Sequence, residues 1–482
     1  MTRLSLLCIA FFVLSKGLFA QMQMGIVHDN YNTTENVRLN PALSVDPLPW
    51  LDIHVVGFYG FVANNFAYLP RNQTSILRGQ FPDTLQFDLR YDRAIFQGEA
   101  LLLGPAFNLS LGQFSIGLSL AQRNYAIGRQ IPQEVARGMI YGFQQDELYG
   151  RNFETGDFRI KSLSWGEIGV NVGMIAYQSG NDMIKAGLNF KYLFGLGSAY
   201  LMAENINYTV INDSVTEVYE LTGEYGGSSL GFYPGTGWGL DLGVVYEKKL
   251  DNVTSYVPHS RSSGCRYTDY LYRFGISILD IGRVRFSGAQ SYQRRLDQGQ
   301  LIWNNYDDFR PNSIEEAVEG LDERFAPFIT EATNTYNSPL PTSISAQFDY
   351  NMGYGLYVNA TAVYGFRYKR KYGAERMHLL AVTPRYESRR FGASIPFSMN
   401  EALQPGIGAS IRFWYLTVGT DSFIPWFFNI DVKRLDAYFH IKIPILTSPE
   451  CRAAKGKKWS VKECTAPGYK TSGKKVEYGK RK

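Results

Sequence analysis

The side chains that most often carry out chemistry in proteins are few in this sequence and widely spaced. Its five histidines are His28, His54, His259, His378 and His440. None lies at a spacing that would place two metal ligands together, and none pairs with a serine or cysteine as a base pairs with its nucleophile. The sequence therefore predicts no metal site, no cofactor and no enzyme activity.

His54 and His440 are the one histidine pair for which a shared location can be argued. Each lies in a stretch predicted to be a strand, one near the start of the chain and one near its end. If the first and last strands meet when a sheet closes, both imidazoles face the same interior. Two interpretations follow: a buried hydrogen-bond network, or a Ser/His site of the kind found in barrel lipases. The network is the simpler expectation.

Charged and amide residues alternate with apolar ones along several predicted strands. A period of two places the two sets on opposite faces of a strand. The candidates for the polar interior face are Lys185, Asn189, Lys191, Asp241, Glu247, Asp349, Arg412 and His440. In a narrow barrel such charges pair with one another across the interior, and they mark a pore only if that interior is open.

The cysteines indicate one disulfide. Once the N-terminal segment described below is removed, three remain: Cys265, Cys451 and Cys464. An oxidising compartment permits one bridge and leaves one thiol over. A Cys451–Cys464 bridge, closing a loop of twelve residues, is the expected pairing. A bridge from Cys265 to the tail is the competing alternative.

The strand pattern that positions these side chains is clearest in residues 340–367. Apolar Ile344, Ala346, Phe348 and Tyr350 alternate with polar residues, and the alternation resumes after a glycine-containing turn at 351–355. A soluble sandwich would give the same hairpin. However, the unit recurs along the chain, and outer-membrane barrels repeat such segments of about ten residues, with the apolar side chains facing outward.

Residues 1–20 are predicted to be a secretory signal. Arg3 precedes an apolar run of about eleven residues, and Leu18-Phe19-Ala20 is a suitable cleavage site. The run is too short to cross a bilayer as a helix, and no later stretch approaches twenty apolar residues. An exported chain with 15% aromatic residues and 47 glycines favours an outer-membrane barrel.

The predicted fold class is all-β: an antiparallel transmembrane β-barrel of about fourteen strands, formed by residues 51–446. Residues 21–50 are a periplasmic lead-in or a plug. Short turns follow strands 2, 4, 8, 10 and 12, and long loops follow strands 1, 3, 5 and 7. The connection 251–269 is the exception. Strand 7 is predicted from about Tyr270 to Gln293, with an interruption near Asp280-Ile281-Gly282, and the loop after it is predicted to be helical around Ser313–Phe325. An even strand number places both ends of the mature chain on one side, predicted to be the periplasm.

Residues 447–482 form a basic tail. Nine lysines and two arginines against three glutamates give it a net charge of +8, although the whole chain carries only +5. With little apolar material the tail is predicted to be disordered. Lys455, Lys457, Lys458 and Lys462 are candidates for binding an anionic envelope component or a protein subunit. The alternative is a solvated extension; nucleic acid is excluded by the compartment.

Four short motifs carry a resemblance to a known family. They are Asn40-Pro41-Ala42, residues 275–282, Leu340-Pro341-Thr342 and residues 408–422. They are similar to an uncharacterised outer-membrane barrel family of Bacteroidota, which itself resembles the long-chain fatty-acid channels. The resemblance covers residues 35–446 and implies fourteen strands and an N-terminal plug. The connection 251–269 and the tail depart from the pattern.

Two functions from different classes follow. The resemblance favours a channel that passes small or hydrophobic solutes across the outer membrane. The basic tail and the odd cysteine favour a non-conducting subunit of a larger secretion or assembly machine, docked through its loops and tail. Beyond these, the expected partner is outer-membrane lipid.

Overall fold

Fourteen antiparallel strands close into a barrel in the computed structural model, as the sequence predicts. The structure describes residues 23–456, except 83, 143–145, 229–233, 289–290, 298, 310–312, 368–371, 403–404 and 429. The barrel strands are β1 (Leu51–Asn64), β2 (Arg93–Leu111), β3 (Phe114–Pro132), β4 (Phe158–Ser179), β5 (Asp182–Val210), β6 (Gly235–Lys249), β7 (Tyr270–Ser287), β8 (Thr335–Pro339 and Ser343–Gly353), β9 (Leu356–Gly365), β10 (Leu379–Glu387), β11 (Phe391–Ser394 and Phe397–Asn400), β12 (Pro405–Ile407 and Ala409–Phe413), β13 (Leu416–Thr420) and β14 (Arg434–Ile445). Each strand pairs with the next, and β14 pairs with β1 to close the barrel.

The two ends of the barrel differ in their connections. At the turn end, tight turns join most consecutive strands, and the start of β1 pairs with the end of β14, Leu51 opposite Ile445. At the loop end, the connections are longer and carry their own structure. Helices α2 (Gln133–Tyr141), α3 (Ile314–Phe325) and α4 (Ile424–Phe427) lie there. The Ser313 side chain caps α3 by accepting from Glu316 N at 3.1 Å, which matches the predicted helix start.

Additional strands extend the sheet at the loop end. They are Asn152–Thr155, Val215–Ser228, Ser291–Leu296, Leu301–Asn304 and Ile329–Thr333, with a separate pair Ala67–Tyr68 and Gln86–Phe87. The prediction that strand 7 continues to Gln293 is wrong. The strand ends at Ser287, and Ser291–Leu296 pairs instead with Val215–Ser228. Residues 291–296 have the sequence pattern of a strand, as β7 has, but they leave the line of β7 and pair with a different strand.

The outer wall is a band of exposed apolar side chains. Leu188, Phe348 and Val244 are 42%, 44% and 51% exposed on strands whose alternate residues are buried. At the turn end, Tyr354, Trp414 and Tyr415 are exposed as well, as expected for an aromatic girdle. A wall of this composition is stable only against lipid, so the barrel is of the membrane-spanning, outer-membrane type. Within the described residues, no helix has the length and apolar character needed to span a membrane.

The disulfide differs from the expected pairing. Cys265, in the connection 251–269, is bonded to Cys451 in helix α5 (Pro449–Gly456), with a Cα–Cα distance of 5.7 Å. The Cys451–Cys464 prediction is therefore wrong, and the competing pairing is the one formed. Ser448 Oγ donates to the His259 carbonyl at 2.8 Å, so the segment after β14 is docked on this connection. Docking across 186 residues of sequence cannot be inferred from local spacing.

Candidate functional site

The N-terminal segment, residues 23–46, lies inside the barrel and is called the plug below. It contains the short helix α1 (Thr33–Asn36) and a single 3-10 turn, Pro41–Ser44. Most of its residues are buried, polar ones included. A buried irregular segment needs partners for its backbone polar groups, and the barrel wall supplies many of them.

The middle of the plug is fixed by Asn40. Its side-chain oxygen accepts from Ala42 N at 3.0 Å, which caps the 3-10 turn, and its amide donates to Gln347 Oε1 at 3.0 Å. On the facing wall, a Cβ on Gly187 would lie 2.5 Å from the Pro41 carbonyl carbon. The glycine therefore permits a contact of backbone on backbone. This is the structural role of the Asn40-Pro41-Ala42 motif.

The C-terminal end of the plug is held by lysines of the wall. Lys185 donates to the Val45 carbonyl at 3.0 Å and pairs with Glu247 at 2.6 Å. Lys249 pairs with Asp46 at 2.6 Å and with Glu247 at 2.8 Å. All four charged side chains are fully or almost fully buried, so each depends on the others for neutralisation.

The N-terminal end of the plug is held on the other side of the barrel. Arg412 Nε donates to Asp29 at 2.7 Å, and Met24 N donates to Asp421 at 2.8 Å. On the wall that carries the lysines, Arg273 of β7, which lies opposite Glu247 of β6, donates to the His28 carbonyl at 3.3 Å and pairs with Asp349 at 2.9 Å. The plug is thus attached to opposite walls by charge-assisted hydrogen bonds.

A dense ionic cluster lies around Asp280. Its carboxylate pairs with Arg123 at 2.7 Å, Lys191 at 2.7 Å and Arg376 at 2.8 Å. Asp280 has φ +56°, a left-handed conformation, at the interruption of β7 that the sequence showed. This kink lets its backbone N–H reach Asp241 at 2.7 Å while its side chain faces the lumen. The cluster is a fixed charged lining rather than a set of free groups.

All eight predicted interior residues face the lumen. Lys185, Asn189, Lys191, Asp241, Glu247, Asp349, Arg412 and His440 are each at most 6% exposed. Sequence reasoning missed Arg123, Glu167, Asp280 and Arg376. The alternation along β4 already places Glu167 on the polar face, and extending the predicted limit of β3 beyond Leu120 would have found Arg123. Asp280 and Arg376 lie at a kink and in a connection, where a period of two gives no direction.

A second cluster joins the plug to the barrel closure. Glu35 of helix α1 lies 3.6 Å, through Oε1, from both His54 Nε2 on β1 and His440 Nδ1 on β14. The two ring nitrogens are 3.2 Å apart. The predicted histidine pair is therefore formed, and the plug adds a carboxylate that the sequence did not associate with it. These three side chains are the set that could hold a metal ion among the described residues.

A bulge in β1 turns the side chain of His54 toward this cluster. The pairing with β14 shifts between His54 and Val56, so that His54 and Gly57 both face inward while Val55 and Val56 do not. Bulges commonly redirect side chains beside functional sites. Thr34 N donates to Asp52 at 2.9 Å, and Asp52 pairs with Lys442 at 2.7 Å, which fixes the helix that carries Glu35.

Cavities lie beside the plug and at the loop end of the barrel. One of about 80 Å³ is lined by plug residues Glu35, Arg38 and Leu39 and by wall residues that include His54 and Glu99. Another of about 240 Å³ lies at the loop end, between β12, the α4 segment and residues Arg90 and Tyr91.

Outside the barrel wall, the connection 251–269 covers the point where the plug leaves the lumen. His259 Nε2 lies 2.9 Å from the Pro47 carbonyl, and burial lowers the pKa of His259 below its ordinary value. Burial also raises the pKa of Asp269, which accepts from Tyr357 at 2.6 Å. Burial therefore favours the neutral imidazole of His259, which still donates its Nε2–H to the Pro47 carbonyl.

The predicted tail residues fall mostly beyond the described chain. Lys455 belongs to helix α5, whereas Lys457, Lys458, Lys462 and Cys464 lie outside the described residues, as does the predicted signal 1–20. The partner binding predicted for these lysines and the export signal predicted in residues 1–20 are therefore still predictions.

Several solved barrels are similar to this chain at low overall agreement. A Pseudomonas aeruginosa FadL homologue is 9% identical, with a TM-score of 0.39, over 88% of this chain and 98% of that one. A TodX deltaS2S3 mutant, a monoaromatic hydrocarbon channel, is 8% identical with a TM-score of 0.39, over 84% and 93%. The Pseudomonas putida toluene transporter TodX is 8% identical with a TM-score of 0.27, over 81% and 88%. Agreement this low transfers no cargo or mechanism.

The curated proteins contain no match to the sequence. A family model does match, over most of the barrel. It spans residues 52–421, from the first strand to just beyond the thirteenth, and the chain belongs to this family of unknown function, DUF5723.

Proposed function

We propose that this protein is a channel of the outer membrane in which the plug, residues 23–46, closes the lumen. The observation that carries the proposal is the plug itself, a mostly polar segment inside a polar and charged barrel. Barrels of eight strands are filled by their own side chains, whereas barrels of sixteen to eighteen strands enclose an aqueous channel. A barrel of fourteen strands without its plug would be open to water.

The attachments of the plug suit a closure that can be released. Small apolar clusters around Leu39 and Val45 also join the plug to the wall, but its charged attachments are hydrogen bonds and ion pairs such as Asp29–Arg412 and Asp46–Lys249. Water can replace such contacts when the segment moves, at much lower cost than it can replace apolar packing. We propose the periplasm as the side from which the plug is released, because the plug continues into β1 at the turn end.

The cargo that we propose is small polar solutes. The lumen beside the plug is lined by Arg123, Glu167 and Asp280 with their charged partners. A hydrocarbon chain would lie against these groups without compensating their charge. The hydrophobic solutes implied by the resemblance are the weaker expectation.

Conductance in planar bilayers tests the closure. Deleting residues 23–46 should raise the conductance of the purified barrel well above that of the wild-type protein. The locked form can be made at Ser44 and Ser115, whose hydroxyl oxygens are 2.8 Å apart. The double variant Ser44→Cys, Ser115→Cys, with Cys464→Ser to avoid mispairing, should remove residual opening until a reductant is added. Wild-type protein with reductant is the control.

The alternative function predicts a different result. A non-conducting subunit would show no conductance as the wild-type protein, as the deletion variant or as the disulfide-locked variant. Heat-modifiable migration in gels would show in each case that the barrel is folded. The observation that favours this alternative is that many interior charges are paired with one another, as in the cluster around Asp280. If the deletion does not fold, the pair Asp29→Asn and Asp46→Asn weakens the plug attachments while keeping the segment, and should increase opening.

We also propose that the basic tail binds an anionic envelope component or an acidic protein subunit. Its support is the net charge of +8 carried by residues 447–482, which begin with the docked helix α5. Pull-down from envelope extracts should weaken as salt rises and when Lys455, Lys457, Lys458 and Lys462 are replaced by glutamine. If the amount of captured partner changes neither with salt nor with the four lysine substitutions, the tail is a solvated extension.

A further inference from the structure

We propose that Glu35, His54 and His440 form a binding site for one divalent transition-metal ion, such as zinc, that joins the plug to the closure of the barrel. The inference does not depend on channel activity. It rests on the separation of the three donor atoms, on the space between them and on the charge of the cluster.

The donor atoms are separated as the ligands of one ion would be. Zinc binds imidazole nitrogen and carboxylate oxygen at about 2.0–2.1 Å, so two ligands of a tetrahedral site lie roughly 3.3 Å apart. The three distances here are 3.2, 3.6 and 3.6 Å. The longer two exceed hydrogen-bond length. A proton shared between the two imidazole rings would account for the 3.2 Å contact, but Glu35 would then have no hydrogen bond to either ring.

The ring of His54 is oriented as in known metal sites. Its Nδ1 lies 3.0 Å from the Gly104 carbonyl, which requires the proton on Nδ1. Nε2 is then a lone-pair donor that faces Glu35 and His440. A metal-bound histidine almost always donates its other N–H to a carbonyl or carboxylate in this way. The backbone of β2 therefore sets the tautomer that a cation needs.

Gly57 leaves the space that an ion would occupy. A Cβ at this position would lie 2.5 Å from His440 Nδ1 and 2.7 Å from His54 Nε2. The bulge in β1 turns Gly57 toward the same two nitrogens. Glu35 and His54 also line the cavity of about 80 Å³, which has room for water as a fourth ligand.

The charge of the cluster also calls for a cation. Glu35 is 3% exposed, and its ion-pair partners among the described residues are only these two histidines. Arg38 and Lys442 attract Glu35 through space, but neither forms an ion pair with it in the described part of the chain, and Lys442 is paired with Asp52 at 2.7 Å. A buried carboxylate between two neutral imidazoles is costly, and a divalent ion would neutralise it.

Zinc titration of the full-length protein in detergent tests the site. All proteins carry Cys464→Ser, so that no thiol in the tail contributes, and are first treated with a chelator. The parent should bind one zinc per chain, measured by competition with a chromophoric chelator and by elemental analysis. Glu35→Gln, which is nearly isosteric, should weaken binding by at least about 100-fold. Gly57→Ala should do the same by occupying the space.

His28→Gln is the matched control. His28 is also a buried plug histidine, 2.8 Å from Thr361 Oγ1, but it lies outside the triad. It should bind zinc as the parent does, and X-ray absorption should show only nitrogen and oxygen ligands. Absence of stoichiometric zinc in the parent would overturn the proposal. Unchanged affinity in Glu35→Gln would do so as well, and this variant decides alone if Gly57→Ala does not fold.

Discussion

The hairpin β8–β9 and the closure β1–β14 are built from the same antiparallel pairing, yet they differ in regularity. In β8–β9, Ser343 to Asn351 pair with Gly365 to Tyr357 without a shift, and apolar side chains face lipid at every second position. In β1–β14, a bulge after His54 breaks the alternation, and the irregular stretch carries the triad with Glu35. The regular hairpin forms the wall, whereas the irregular one presents particular side chains to the plug.

The largest effect is expected at the other irregular strand, β7. Asp280→Asn would leave Arg123, Lys191 and Arg376 without their shared carboxylate. Breaking a buried ionic cluster in this way costs roughly 3–5 kcal/mol. Unfolding by urea in lipid vesicles measures the loss. Asp182→Asn is the control, because its pair with Lys248 at 2.9 Å is more than a third exposed and should contribute little.

The next effect belongs to the regular hairpin. Phe348→Arg places a charge on the lipid face near the middle of β8 and should cost roughly 2–4 kcal/mol. Tyr354→Arg, at the tip of the β8–β9 turn and 99% exposed, should cost much less. The same vesicle unfolding assay compares them. Equal costs at the two positions would contradict the assignment of the membrane band.

The contrast between the hairpins also explains how much the sequence could predict. Alternation gave the barrel, the strand number and the interior position of Lys185, Asp241 and Asp349. It also placed His54 and His440 on neighbouring strands. These are all properties of regular pairing, where a period of two and the turn positions determine direction.

The remaining features depend on irregular backbone or on distant contacts. The direction of Asp280 follows from a left-handed residue in a kink, and the position of Glu35 follows from how the plug lies in the lumen. The Cys265–Cys451 bond depends on the docking of a connection against the segment after β14. No local pattern reports such contacts. An open lumen would accept Asn189→Arg. The packed lumen would not, because Asn189 is buried and donates to Asp241 at 2.9 Å.

A smaller effect is expected from filling the space in the closure. Gly57→Ala should destabilise the apoprotein by roughly 1–3 kcal/mol, because its Cβ would approach two imidazoles within 2.7 Å. Gly166→Ala on β4 is the control, since its Cβ would meet nothing closer than 3.7 Å. It should be neutral or slightly stabilising through the unfolded chain. Similar losses for both would mean that the closure is no more constrained than the regular wall.

The smallest effect is expected at the turn end, where the irregular connection 251–269 lies beside regular turns. The lowered pKa of His259 means that the folded state favours the neutral ring, although the nearby Asp46 carboxylate opposes the shift. The contribution of His259 to stability is therefore present above its ordinary pKa of 6.5 and is lost as the pH falls toward the lowered value.

Hydrogen exchange of residues 251–269, corrected for intrinsic rates, should lose protection between pH 7.5 and pH 5. In His259→Gln, which keeps an N–H for the Pro47 carbonyl but cannot be protonated in this range, that dependence should largely disappear. Tight turns such as the one at Tyr354 should show no such dependence in either protein. The same loss of protection in both proteins would place the pH sensitivity elsewhere, for example in the Asp269 carboxylate, whose pKa is raised by burial at this end of the barrel.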